Sequence, residues 1–241
     1  LLRQPHPLAT GKSFITFYSE YFFRLNKLFS NVKKYLTYNI IKHKGNTEGI
    51  REFDIYESGR MIVPAWEDRI IKDPLTHVKD NRFLKPTHYE GDNLEKALSD
   101  LYKLKRLADN YGIHLIFFIN PIHRTTYLDT DLRQFFIFKR RLAEITSYYD
   151  FSGLNSITTN NVYYYETSHY RPIVGDMMLK RIFGHPQVGV PRDFGVFVTR
   201  NNIEMHLLSL CRQLKKIDIP LNAQNTIFRD NCLHDCSKYA K

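Results

Sequence analysis

Residues 92–121, DNLEKALSDLYKLKRLADNYGIHLIFFINP, set a helix directly before a strand. Asp92 and Glu95 stand three apart in the manner of a capping box. Leu94, Ala97, Leu98, Leu101, Leu104 and Ala108 recur at helical spacing, and Gly112 supplies a stop. The chain then enters Ile113-His114-Leu115-Ile116-Phe117-Phe118-Ile119, a nearly continuous apolar run of the kind a buried parallel strand needs, ended by Asn120-Pro121. Helix then strand, with a short connection, is half of a βαβ unit.

Downstream the order repeats. The spacing predicts a helix over about 131–145, then a short strand from Tyr148 to Phe151 closed by Ser152-Gly153. A further helix is expected from Pro172, suited to a first turn, to Phe183, with Gly184 and Pro186 ending it. The last helix is expected over about 201–214. Such alternation implies an α/β fold, a three-layer α/β/α arrangement on an open, mostly parallel sheet, flavodoxin-like in outline.

Upstream, Phe14, Phe17, Tyr18, Tyr21, Leu25, Leu28, Phe29 and Val32 mark a helix from about Ser13 to Lys34, with Ser13 as N-cap. FDIYESGRMIVPAW reads as a hairpin turning at Ser58-Gly59. Residues 68–91, with Pro74 and Pro86, read as a long connecting loop. Three parts follow: residues 1–91 as N-terminal helix, hairpin and loop, 92–220 as the α/β core, and 221–241 as a polar C-terminal tail.

The chain has 241 residues and is 43% hydrophobic, enough for one sizeable domain. It contains no apolar run of the roughly 18 residues that a membrane span requires. Its N-terminus lacks a charged-then-apolar signal pattern. The formal charge of +10 raises the question of nucleic acid. The basic clusters Lys33-Lys34, Lys42-His43-Lys44, Lys139-Arg140-Arg141 and Lys215-Lys216 are short, scattered and outside any nucleic-acid-reading motif, which argues against that partner. Cys211, Cys232 and Cys236 are too few for a disulfide framework. Cys232 and Cys236 bracket His234 and Asp235 without the second ligand cluster that a metal needs, so an exposed tail or one optional disulfide is the plainer reading.

In open α/β sheets ligands sit beyond the carboxyl ends of the strands. Asn120-Pro121-Ile122-His123, Asp150-Phe151-Ser152-Gly153 and the run Tyr163-Tyr164-Tyr165-Glu166-Thr167-Ser168-His169-Tyr170-Arg171-Pro172 all fall on that rim if the strands are parallel. Glu166, three residues before His169, can orient the imidazole so that its other nitrogen is free to take a proton. Plainer roles are a structural histidine bonded to a loop carbonyl, and an acid favoured at the start of the next helix. The tyrosines either line a sugar-binding groove or pack beneath the sheet, and packing is the simpler expectation.

Asn-Pro-x-His after a strand, then Tyr-Asp-Phe-Ser-Gly, then carboxylate-x-x-His-Tyr-Arg-Pro leading into a helix, together resemble the C-terminal part of the SGNH/GDSL hydrolase-like family. More narrowly they are similar to its bacterial branch related to cell-surface polysaccharide acylation. The similarity spans about residues 92–214. It implies a fold of the SGNH type and makes His169 the base and Glu166, in place of the usual aspartate, its orienting partner. Asn120 becomes a candidate oxyanion donor beside His123, or else simple turn chemistry.

The family's nucleophile comes from a Gly-Asp-Ser block on a first strand. Gly11-Lys12-Ser13 imitates it, but Pro5 and Pro7 break the strand that should precede it, and Ser13 reads as an N-cap. Ser152 is no better placed, and Ser168 adjoins His169 too closely in sequence to present its hydroxyl easily to that ring. The chain, which begins at Leu1, is therefore expected to lack its first strand and the nucleophile, with residues upstream removed, and to be inactive as given. The resemblance implies acyl esters of a cell-surface polysaccharide as substrate and a membrane-bound O-acyltransferase as partner. It places the protein in the envelope or periplasm, anchored to the membrane if an upstream segment exists, with no cofactor and no metal. A second expectation is a non-catalytic glycan-binding or assembly protein on the same scaffold, and a third, weaker one is anionic-polymer binding by the basic surface, fading steeply as salt rises.

Overall fold

The computed structural model describes residues 54–55, 61–88, 93–186 and 188–237. The chain divides into two compact units, 1–54 and 55–241. The helix expected from Ser13 to Lys34 lies outside the described residues. So does the Ser58-Gly59 turn, which the two-residue strands β1 (Asp54–Ile55) and β2 (Met61–Ile62) flank.

Residues 68–84, most of the segment 68–91 that reads as a long loop, are instead largely helical. Pro64 and Pro74 each open a helix, α1 (Pro64–Lys72) and α2 (Pro74–Val78), and Asn81–Leu84 form a 3-10 turn. Proline fits a first turn because its missing N–H has no intrahelical partner there. Asp73 caps α2 by accepting from the Thr76 amide. Each short element buries one residue, Ile70, His77 and Phe83 in turn, too few to leave a periodic signal.

Helix α3 (Leu94–Asn110) begins one residue later than the capping-box reading placed it. Asn93 is the cap, its side chain accepting from the amides of Glu95 and Lys96. It ends in a Schellman motif: Gly112 takes φ +65°, its amide reaches Asp109 O, and Ile113 N reaches Ala108 O at 2.8 Å. Strand β3 is only Phe117–Ile119. Ile113, Ile116 and Phe118, expected in a buried strand, are exposed. The run alternates between a covered and an open face, whereas continuous burial needs both faces covered.

Next come α4 (Arg124–Asp129), α5 (Leu132–Ile145), β4 (Tyr148–Asp150), α6 (Pro172–Phe183), β5 (Val196–Val198), α7 (Ile203–Lys215) and α8 (Ala223–Ser237). The sheet order is β3-β4-β5. β3 and β4 are parallel, with Phe117 opposite Tyr148 and Ile119 opposite Asp150; β4 and β5 are antiparallel, with Tyr148 opposite Val198. The fold is therefore mixed α/β on a small mixed sheet, rather than mostly parallel. The sequence order hid this because residues 184–195, after α6, are long enough to carry the chain past β4 before β5 begins.

One sheet face carries Ile119, Tyr148 and Val198 into a core with Phe136 and Leu142 of α5, Leu207, Leu210 and Leu214 of α7, and Cys232 of α8. Residues 223–234, within the expected polar tail 221–241, are thus packed rather than free: Cys232 is fully buried, and Phe228 and Leu233 pack on the same core. Asn225 fixes α8 in place. Its side chain accepts from Leu132 N and donates to the carbonyls of Leu128 and Thr130. A second cluster gathers Phe83, Phe151, Ile157, Tyr164, Val174, Met177, Met178 and Phe194.

The end of β4 is tied down by a buried ionic cluster that no spacing announced. Lys139 Nζ donates to Asp150 Oδ2 at 2.7 Å and to Ser152 Oγ at 2.6 Å; Ser152 donates its amide and hydroxyl to Asp150 Oδ1, and His206 Nε2 lies 2.7 Å from Oδ2. Burial works against the Asp150 charge, but Lys139 and His206 more than offset it and hold the carboxyl well below its usual range. Gly153 follows at φ +94°, where a Cβ would stand 2.6 Å from the Leu210 side chain.

The same contacts dissolve one of the basic clusters. Lys139 is fully buried, Arg140 makes a two-point ion pair with Glu204, and Arg141 pairs with Glu95. No helix among the described residues is long and apolar enough to cross a membrane.

Candidate active site

The parallel pair β3 and β4 ends on a common rim, and Asn120 follows β3 there, exposed. Above it the chain folds residues 163–171 into a narrow loop. Tyr164 and Tyr170 bridge antiparallel, Tyr165 N donates to His169 O, and Arg171 N donates to Tyr163 O. Glu166, Thr167, Ser168 and His169 form the tip.

The tip is held from several sides. Tyr164, fully buried, donates its hydroxyl to Pro121 O at 2.9 Å, which fastens the loop to the end of β3. Thr167 donates to Lys85 O, and Thr126 of α4 donates to Thr167 O. Arg171 grips Glu67 of α1 through Nε and Nη2 while its Nη1 donates to Val162 O, and Tyr165 donates its hydroxyl to the same carboxylate at 2.6 Å. Two-point guanidinium–carboxylate pairs fix orientation as well as distance. Tyr164 and Tyr165 thus pack, as the simpler reading expected, and Tyr163 is half-buried.

Within the tip, Glu166 and His169 meet. His169 Nδ1 is hydrogen-bonded to Glu166 Oε1, and the imidazole is 68% exposed against 21% for the carboxylate. The bond engages Nδ1, leaving Nε2 as the nitrogen that can take a proton. Glu166 therefore lies against the imidazole, well before helix α6 opens at Pro172, and among the described residues the ring has no hydrogen bond to a loop carbonyl.

Ser168 departs from its expected part. Its Oγ lies 2.9 Å from His169 Nδ1, so a neighbour in sequence does reach the ring. It reaches the nitrogen already held by Glu166, and it donates both amide and hydroxyl to that carboxylate at 2.8 Å. Its place is that of a brace on the carboxylate. Ser152 is buried with Lys139 and Asp150, and Ser156 donates to Asp193. Ser13 lies outside the described residues.

Asn120 is joined to this loop through Tyr170, whose hydroxyl donates to Asn120 Oδ1 at 3.5 Å, leaving the amide nitrogen as the group able to donate outward. His123, its expected companion, is a core residue. Its Nδ1 accepts from Thr125 N to cap α4 and its Nε2 donates to Asn161 Oδ1 at 2.9 Å. Burial draws its pKa below the ordinary 6.5. His123 is thus a neutral strut, with both ring nitrogens committed.

Sequence reasoning missed Glu67, Thr126 and Ser168 as supports. Arg171 and Tyr170 lay within the run that attracted notice, but their partners are some 50 to 100 residues away in sequence, and single-chain spacing carries no trace of such pairs. Comparison with protein-family models, curated proteins and solved structures finds no match for this chain.

Proposed function

We propose that this is an esterase or acyl-transfer domain of the SGNH type acting on acyl esters of a cell-surface glycan, with His169 as base and Glu166 as its orienting partner. The observation that supports this most is the exposed imidazole whose Nδ1 is engaged by a carboxylate. In the proposed reaction Nε2 takes the proton of a serine hydroxyl as that oxygen adds to the ester carbonyl. It then returns the proton to the departing sugar oxygen, leaving an acyl-serine, and a water or acceptor hydroxyl completes the cycle in the same way. Asn120 Nδ2 is the proposed donor to the oxyanion. The three-layer arrangement, an envelope location and a membrane-bound O-acyltransferase partner belong to this reading.

The second reading, a glycan-binding or assembly protein without turnover, is favoured by one fact: no serine among the described residues has a contact with His169 Nε2. Both are tested on the protein at the length at which its cell makes it, with 4-nitrophenyl acetate as probe. Turnover that falls about 10²–10⁴-fold in His169→Ala supports the first reading. Turnover equal in both proteins overturns it, and no turnover at all favours the second.

A further inference from the structure

We infer that the protein holds a neutral sugar unit in a cleft at the end of the sheet away from Asn120. The three strands each place one aromatic ring on the same face, in register: Phe118, Tyr149 and Phe197. Phe118 and Phe197 are 47% and 49% exposed, and Tyr149 and Phe197 lie 5.0 Å apart at 49°. Phe118 and Phe197 stand open on either side of the half-buried Tyr149, so part of this face is uncovered apolar surface.

Beside them opens a cleft of about 450 Å³, shared by Tyr149 and Phe197 with Lys105, Asp109, His114 and Ser147. That volume lies within the range of small-ligand sites. The Tyr149 hydroxyl is tied to Ile182 O, which fixes the ring.

The charge in the cleft is balanced. Lys105 Nζ is bonded to both oxygens of Asp109, so an anion would meet the carboxylate and a cation the ammonium. In a chain of net charge +10 this is poor ground for a nucleic acid. A pyranose fits what is left. Its flat C–H face lies on an aromatic ring, and its adjacent hydroxyls can both donate and accept, matching the Lys105–Asp109 pair and the Ser147 hydroxyl. An added peptide strand fits less well, because β3 offers only three residues of ladder.

Phe117 and Asn120 are three residues apart, about 10 Å along the strand, so one polymer chain could occupy cleft and rim together. The inference extends the glycan reading to a second place on the fold and does not require turnover at His169. The test is titration of the full-length protein with three neutral probes, the hexamers of β-1,4-glucose, β-1,4-N-acetylglucosamine and α-1,4-glucose, followed by NMR of the aromatic side chains.

At least one probe is expected to bind, with affinity about tenfold weaker in Phe197→Ala and also reduced in Asp109→Ala. Phe197 and Asp109 are exposed, so these variants should fold, and their circular dichroism checks that. No binding of any probe at millimolar concentration overturns the inference, as does binding that ignores both cleft substitutions. Preference for an extended peptide over every sugar overturns it too. If ester turnover proves absent while Phe197 still governs sugar binding, the cleft stands and the catalytic reading falls.

Discussion

Glu166 carries more of the proposed site than its position suggests, because one carboxylate receives His169 Nδ1, the Ser168 amide and the Ser168 hydroxyl together. Replacing it by glutamine keeps the shape but offers only one acceptor oxygen for these donors, so the imidazole loses its orientation. Glu166→Gln is expected to lower ester turnover about 10²–10⁴-fold while leaving the urea unfolding midpoint close to that of the parent, and parallel kinetics and melts check both halves. The pairing of residues 166 and 169 was legible in the sequence, because a three-residue step lets a loop fold a carboxylate back onto an imidazole. Ser168 was not legible: adjacency in sequence argues against its hydroxyl reaching the ring, whereas the tight tip turns both side chains toward the same carboxylate.

The helices with long apolar stripes, α3, α5, α6 and α7, were legible to within a residue or two, and β4 was read correctly with them. The elements that escaped are those whose burial is sparse or whose polar residues do the anchoring. Helix α8 looked like a tail because its sequence is mostly polar, yet Asn225 is fully buried and satisfies backbone groups of three residues at the junction of α4 and α5. Asn225→Ala strands those groups in the interior. It is expected to cost about 1–3 kcal/mol, read as a lower urea midpoint with an unchanged slope. The short strand β5 escaped because three residues, two of them exposed, carry no decisive pattern.

At the scale of the whole molecule, two buried groups among the described residues, His123 and Asp150, make stability depend on acid. The pKa of His123 is drawn below 6.5 by burial, so the unfolded chain binds its proton first and stability falls as the pH drops below 6.5. Asp150 is also held low, against its burial, by Lys139 and His206; the stability it contributes is complete above its ordinary 3.8 and is lost as the pH falls below that value. Unfolding free energies from urea titrations should therefore decline in two stages, one starting near pH 6.5 and one near pH 3.8. In His123→Gln the first stage should shrink and the second persist.

The central claim, that the open nitrogen of His169 serves as base for a serine, is tested most directly by the rate at which a fluorophosphonate modifies the protein, followed by intact mass. A single adduct per chain is predicted, on serine, forming about 10²–10⁴-fold more slowly in His169→Ala. An adduct that forms at the same rate without that imidazole, or none at all, would contradict it.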